Sequence, residues 1–365
     1  MVTTRFTADD DGDLDALYQD VAEADLQPLW LLKGLLPEQP NAMRPHVWRA
    51  KTLRHLAERA GDLVGIDRGG DRRVLGLAHP DLGGLPFATR TLWGAVQYLG
   101  PGELAPAHRH SPSAVRFVLE GSGVFTLVNG DPVRMEPGDL VLTPSYAWHE
   151  HHNPGDEPMI WFDGLDLPLI GNLDAVFFEN GSDELTAYDE VPVSRSEQLH
   201  GTAGLRPLHT DPSLAQQPGE HRHSPLMTYR WVDTDRALDT MLAATGARAA
   251  AMRYVDPLTG RDMMPTLRGE MHRLLPGHRT PTTRTVGSGI WVVHRGTGAS
   301  VVNGVRYEWG AGDILVTPSW TAVDHEATDR ADLFLLSDGP VIEAVGLART
   351  ETLPHRQAVT DTVSA

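Results

Sequence analysis

The sequence predicts a mostly β fold made of two copies of one β unit, with helices ahead of the first copy and between the two. Three observations carry this. The chain holds 36 Gly and 27 Pro among 365 residues, and such frequent turns suit a β-rich chain better than a helical bundle. From about Arg72 the apolar residues fall in short runs cut by Gly, Pro and Asn, as in RRVLGLAHP, TRTLWGAVQYL, VRFVLEG, GVFTLVNG, DLVLTP and MIWFDGLD. That texture is one of successive strands and tight turns. Finally, GSGVFTLVNGDPVRMEPGDLVLTPSYAWHEH from Gly121 returns as GTGASVVNGVRYEWGAGDILVTPSWTAVDHE from Gly296. Gly138, Asp139, Thr143, Pro144 and Ser145 recur at one constant offset as Gly312, Asp313, Thr317, Pro318 and Ser319. Order and spacing both match, so duplication is the simplest account.

The remaining elements follow along the chain. Residues 12–35 read as helix, since Leu14, Leu17, Val21 and Ala22 recur three or four apart. A second helix is expected near 48–60. Residues 181–225 are irregular and polar, and a helix is expected at about 234–244. A second β-rich stretch covers about 265–347, and residues 352–365 read as a loose tail. The domain reading is a helical or irregular segment over 1–71, a first β unit over 72–180, a connector over 181–264, a second β unit over 265–350 and a tail over 351–365.

Composition excludes several functions. The net charge of −18 opposes binding to nucleic acid or to anionic membranes. The absence of cysteine rules out disulfides and thiolate ligands, and fits a cytoplasmic protein. The acidic start MVTTRFTADDDGDLDALYQD lacks the features of a signal peptide. No apolar run is long enough for a membrane-spanning helix.

The chemistry concentrates in PGELAPAHRHSPSAVRFVLEG and TPSYAWHEHHN. His108 and His110 are two apart, so a strand turns both to one face. A strand returning beside them can bring His149 to the same ion. Three neutral imidazoles suit a divalent first-row metal and leave positions open. A lone His-X-His is commonly two exposed polar residues, and the third His is what raises the signal. Gly102, five residues, His108-Arg109-His110 and then Gly121 resemble the first cupin motif. Gly138, five residues, Pro144, then His149 and Asn153 resemble the second. Two departures stand out. The glutamate expected near Ala114 or Val115 is absent, and the usual glycine after Pro144 is Tyr146. Without the glutamate the metal keeps its full charge, which favours an anionic chelating substrate. In the second copy the equivalents of His108, His110 and His149 are Thr283, Thr285 and Val323, with His325 matching His151. That copy reads as a packing and assembly unit.

Most of the chain resembles the gentisate 1,2-dioxygenases and their relatives that cleave salicylate or 1-hydroxy-2-naphthoate. The strongest parts are RRVLGLAHP, ATRTLWGAVQYLGPGELAPAHRHSPSAVRF, TPSYAWHEHHN and WFDGLD. The resemblance implies a bicupin of two jelly-roll β-barrels, Fe(II) held by His108, His110 and His149, molecular oxygen, an aromatic carboxylic acid substrate, a maleylpyruvate product and a homotetramer. Arg116 lies six residues after His110, so on a continuous strand it faces the same way and can grip a carboxylate. Arg72 matches a second carboxylate-recognising arginine of the family, or is a solvated charge. Trp93 and Gln97 share one strand face, where Trp93 can pack on a ring and Gln97 can bond a substituent, although Trp93 also suits ordinary core. His151 can relay protons or bond the substrate, and Asp163 matches a family residue that orients the site. Tyr146 is a further pocket candidate. The rival substrates are salicylate, substituted salicylates and 1-hydroxy-2-naphthoate. A cupin isomerase or binding protein is the rival of another class.

Overall fold

The computed structural model describes residues 12–32, 43–65, 73–205 and 222–365. The chain divides into two units, Met1–Ala42 and Met43–Ala365. In the first, the helix Gly12–Glu23 is shorter than the expected 12–35. Asp25 takes a left-handed φ of 53°, and Leu26 N–H returns to Val21 O at 2.9 Å, which ends the helix in a Schellman turn. A short 3-10 turn at Leu29–Leu31 follows.

The second unit is mostly β, with four sheets among the described residues. They form two jelly rolls, each a pair of facing sheets that are not joined edge to edge into a closed cylinder. One sheet of the N-terminal roll carries Trp93–Leu99, Met159–Leu165 and Ala114–Glu120 side by side. The facing sheet carries Leu104–His110, His149–His152 and Phe125–Val128. The C-terminal roll repeats the arrangement, with Arg268–Leu274, Ala331–Ser337 and Gly289–Arg295 opposite Thr283–Thr285, Val323–Ala327 and Thr297–Val302.

The two rolls exchange strands. His46–Trp48, ahead of the helix Ala50–Leu63, pairs with Ile314–Thr317 of the C-terminal roll. Thr228–Tyr229, ahead of the helix Trp231–Thr245, pairs with Leu140–Thr143 of the N-terminal roll. The repeated Gly-Asp turns lock this exchange. Asp139 accepts the Trp231 N–H at 2.8 Å and pairs with Arg230 at 2.7 Å. Asp313 accepts the Ala50 N–H at 2.7 Å and pairs with Arg49 at 2.9 Å. Each aspartate therefore satisfies one orphan donor at the start of a helix. The helices expected at 48–60 and 234–244 are these two, displaced by a few residues.

The rolls pack sheet against sheet through one apolar core. Phe117 and Phe334 stack at 4.6 Å with parallel rings, among fully buried Val115, Phe162, Ile290, Val292 and Leu336. Residues 352–365 are not loose. Asp361–Val363 adds a parallel strand beside Val305–Gly310, and the Gln357 amide donates to Val301 O at 2.8 Å.

Candidate metal centre

The N-terminal roll brings three imidazoles together. His108 lies directly opposite His149 in the antiparallel ladder, and paired residues face the same side. The register slips between Ala105 and His108. This β-bulge re-aims His108, as bulges beside functional sites do. The ring centroids lie 4.1 Å apart for His108 and His149, 4.9 Å for His110 and His149, and 5.7 Å for His108 and His110. One ligand atom from each lies within 4.8 Å of the others.

The surroundings select the protonation state. Nδ1 of His108 meets Pro106 O at 3.0 Å, Nδ1 of His110 meets Pro112 O at 2.7 Å, and Nδ1 of His149 meets Ala147 O at 3.0 Å. A carbonyl can only accept, so in the neutral ring each Nδ1 carries the proton and each Nε2 keeps its lone pair. His149 Nε2 is buried with no hydrogen-bond partner. Burial first, then Arg116 and the neighbouring histidines, hold its pKa well below the usual value. Three oriented, neutral Nε2 donors fit a divalent metal, and a buried lone pair without a partner is costly until one is present.

Opposite the histidines the other sheet supplies a wall. Asp163 lies between Ala95 and Arg116 in register across three strands. Trp93, Gln97, Arg116, His151 and Asp163 line one small cavity of about 110 Å³ together with His108 and His110. Arg116 reaches it by a different route from the one expected. His110 ends one strand and Ala114 begins another in the facing sheet, so the two residues face each other across the roll. Arg116 is 4 % exposed. It donates to Thr143 Oγ1 and lies 3.4 Å from Asp163 Oδ1. Burial pushes the Asp163 carboxyl up to about 6 although Arg116 opposes this, and Trp161 Nε1 donates to its Oδ2 at 3.1 Å. His151 is fully buried, with Nδ1 held by Thr126 Oγ1 at 2.8 Å.

Two expectations need correction or remain outside. Tyr146 does not line this cavity. It is 53 % exposed and its ring packs on Phe177 at 5.9 Å. Its φ of 61° explains why a glycine is usual at that place. Arg72 lies outside the described residues. Arg73 turns away to Glu103 and to Gly61 O. Sequence reasoning also missed Val74, Ala105, Ala114 and Leu165 in the wall, and Thr126 and Thr143 behind it. Thr143 was visible only as a repeated residue, and Thr126 gave no signal.

The C-terminal roll shows the same geometry without ligands. Thr283 stands opposite Val323 where His108 stands opposite His149. His325 Nδ1 is held by Ser300 Oγ at 2.7 Å, as His151 is by Thr126. Among the described residues the three-His group is the one cluster of its kind.

Fold and donor set define a bicupin with one three-His group able to hold a metal among the described residues. A cupin domain model matches residues 95–165. A gentisate 1,2-dioxygenase from Streptomyces is 49 % identical over 94 % of this chain and 96 % of its own length. A 5-aminosalicylate 1,2-dioxygenase from Comamonas is 36 % identical over 94 % and 92 %. The salicylate 1,2-dioxygenase of Pseudoaminobacter salicylatoxidans, solved with gentisate, superposes with a TM-score of 0.90 at 46 % identity, covering 97 % of this chain and 98 % of that one. The chain belongs to the gentisate 1,2-dioxygenase family of ring-cleaving oxygenases. Among the described residues, no helix is long and apolar enough to cross a membrane.

Proposed function

We propose that the protein opens the ring of gentisate between its carboxylate- and hydroxyl-bearing carbons to give maleylpyruvate, using Fe(II) held by His108, His110 and His149. The observation that carries this reading is the buried Arg116 sharing one cavity with His108 and His110, two members of the three-His group. Such a pair of features suits an aromatic acid that is gripped by its carboxylate and chelated through its neighbouring hydroxyl.

Bound iron would supply the open coordination positions and the electron path to molecular oxygen that no side chain here offers. Both atoms of the oxygen molecule enter the product, so no external reductant is needed. The chain's own residues position and protonate. Arg116 binds the substrate carboxylate by charge-assisted bonds. Asp163 and Thr143 hold the guanidinium, leaving it little freedom to lose on binding. Trp93 packs on the ring, and Gln97 bonds the hydroxyl away from the metal. His151, held at Nδ1 by Thr126, takes and returns the hydroxyl proton at Nε2. The small Ala95 and Ala114 leave room for one ring. Arg72 is assigned to the carboxylate by resemblance. The same resemblance assigns a homotetramer, and the lack of cysteine fits a cytoplasmic location.

Salicylate, substituted salicylates and 1-hydroxy-2-naphthoate share the same adjacent carboxylate and hydroxyl, and the relatives' names span these acids. Oxygen uptake by Fe(II)-loaded protein, prepared without air and given each acid in turn, tests the assignment. One oxygen consumed per gentisate, lost in His108→Ala, is the expected result. Uptake with another acid alone changes the substrate. No uptake with any of them, despite bound iron, removes the dioxygenase reading.

A further inference from the structure

The C-terminal roll has lost the metal ligands but has not been filled in. A cavity of about 460 Å³ runs from its mouth into its interior, against about 110 Å³ beside the three histidines. A roll kept only for packing would be expected to close such space with side chains, because interiors are packed to the density of organic crystals. Here the substitutions do the reverse. The place of His108 is taken by Thr283 and that of His149 by Val323. Trp291 occupies the place of Arg116, and the two bond equivalent residues: Arg116 donates to Thr143, and Trp291 Nε1 donates to Thr317 Oγ1 at 3.1 Å. Leu335, opposite Trp291, stands where Asp163 stands opposite Arg116.

What lines the cavity points to a ligand. Three rings cluster there, with His272 5.0 Å and His325 4.4 Å from Trp291. His325 is 7 % exposed, and its Nε2 is buried without a hydrogen-bond partner. The proton on that ring can be placed. Ser300 Oγ receives the Trp309 indole N–H at 2.9 Å and lies 2.7 Å from His325 Nδ1. His325 Nδ1 lies within reach of the Ser300 hydroxyl proton, and accepting it leaves Nε2 with the ring's own proton, turned to the cavity. A buried N–H without an acceptor is costly, and a ligand oxygen would recover that cost. Glu270 supplies an acceptor in the same wall.

The charges around the cavity offset one another. Glu270 lies 3.0 Å from His272 Nε2 and 3.5 Å from Arg253. Arg268 is held by Asp262 at 2.7 Å and Glu343 at 2.8 Å. Among the described residues, the cations Arg253 and Arg268 face three carboxylates, Glu270, Asp262 and Glu343, so the balance of charge here does not favour a carboxylate ligand. We infer that the C-terminal roll binds a small uncharged phenol-type aromatic, its ring against Trp291, one hydroxyl accepting from His325 Nε2 and one donating to Glu270. This site is separate from the metal centre and does not depend on the reaction assigned there.

Calorimetric titration of the iron-loaded enzyme under nitrogen, with hydroquinone and with benzoate, tests the inference, together with crystals soaked in hydroquinone. His325→Leu and Glu270→Gln serve as separate variants, so that failure of one to fold leaves the other. The expected result is hydroquinone density in the cavity beside Trp291, with a hydroxyl within hydrogen-bond reach of His325, and affinity reduced at least about tenfold in each folded variant. Benzoate should bind this cavity at least about tenfold more weakly than hydroquinone. Hydroquinone found only at the metal centre, or binding that neither variant alters, overturns the site. Benzoate bound there as tightly as hydroquinone overturns the ligand class.

Discussion

Arg116 and Asp163 stand opposite each other on neighbouring strands, both almost fully buried, with Nε 3.4 Å from Oδ1. The pair is placed to bind an acid, and it also has a stability cost that depends on pH. Removing Arg116 leaves a buried carboxylate without its counter-charge, so Arg116→Met should lose about 3–5 kcal/mol near pH 7.5. Burial already raises the Asp163 carboxyl to about 6, above its unfolded value of about 3.9. A group raised in this way gives full stability below the unfolded value and loses it as pH rises through the folded one. Without Arg116 that value rises further, so the deficit of Arg116→Met should shrink as pH falls from above neutrality to about 6, below which the carboxyl is protonated in both folded proteins. Urea unfolding of both proteins across that range checks it, and a deficit independent of pH would sink the assignment.

The same arginine carries the proposed substrate carboxylate. Arg116→Lys keeps the charge but loses the planar fork. Its kcat/KM should fall by at least about a hundredfold, equivalent to about 3 kcal/mol, with bound metal unchanged. Thr143→Val removes the hydroxyl behind the guanidinium and should raise KM more than it lowers kcat. Steady-state kinetics with metal analysis on each preparation separate these outcomes from simple loss of the metal.

The metal set should behave as a unit. His149→Ala removes the central donor, whose ring lies within 5 Å of both others. Metal affinity should drop by more than the roughly 10–100-fold seen for changes behind the ligands, while the fold persists, because the C-terminal roll stands with Val323 in that place. Metal content by plasma emission and circular dichroism on the same sample check both halves of this statement.

Part of this site was legible before any coordinates. His108, His110 and His149 follow from strand parity and motif spacing, because ligand geometry needs only the two-residue repeat of a strand. Arg116 was found by an invalid step, since the turn at Ser111–Ser113 moves it to the facing sheet. The cavity joins both sheets, so the residue still arrived at the site. The strand exchange was not legible. Thr228–Tyr229 and His46–Trp48 are too short to show a period, and pairing with the distant roll is a tertiary choice. The one visible trace was the repeat of Asp139 as Asp313, whose capping role requires knowing which helix each meets. The tail strand Asp361–Val363 is exposed along its length and carries no hydrophobic alternation to announce it.

Gly164 records how closely the two rolls approach. A Cβ there would overlap Leu336 Cδ2 and press on Phe162, and both neighbours are fully buried. Gly164→Ala should cost about 1–3 kcal/mol by overpacking. Leu336→Ala alone should cost about 2–5 kcal/mol through the cavity it leaves. Combined, the two should cost clearly less than their sum, because the alanine methyl occupies space the leucine has vacated. Additive losses in denaturant unfolding would mean the two groups do not meet.

His294 gives the last test, at the junction of the rolls. Its ring packs on Trp231 at 4.3 Å and Phe117 at 5.4 Å, and Nε2 is buried with no hydrogen-bond partner. Burial first, then Arg295 and Arg273, lower its pKa to about 3, while Asp235 opposes them. The unfolded chain binds this proton near the ordinary value of about 6.5. The histidine therefore costs nothing above that value and destabilises the fold as pH falls below it, by about 2 kcal/mol at pH 5. His294→Phe keeps a ring among rings and removes both the titration and the unpaired nitrogen. The variant should be neutral or slightly stabilising at pH 7.5 and more stable than the parent by about 2 kcal/mol at pH 5. Thermal unfolding at the two values decides it, because a purely steric role for His294 predicts the same difference at both.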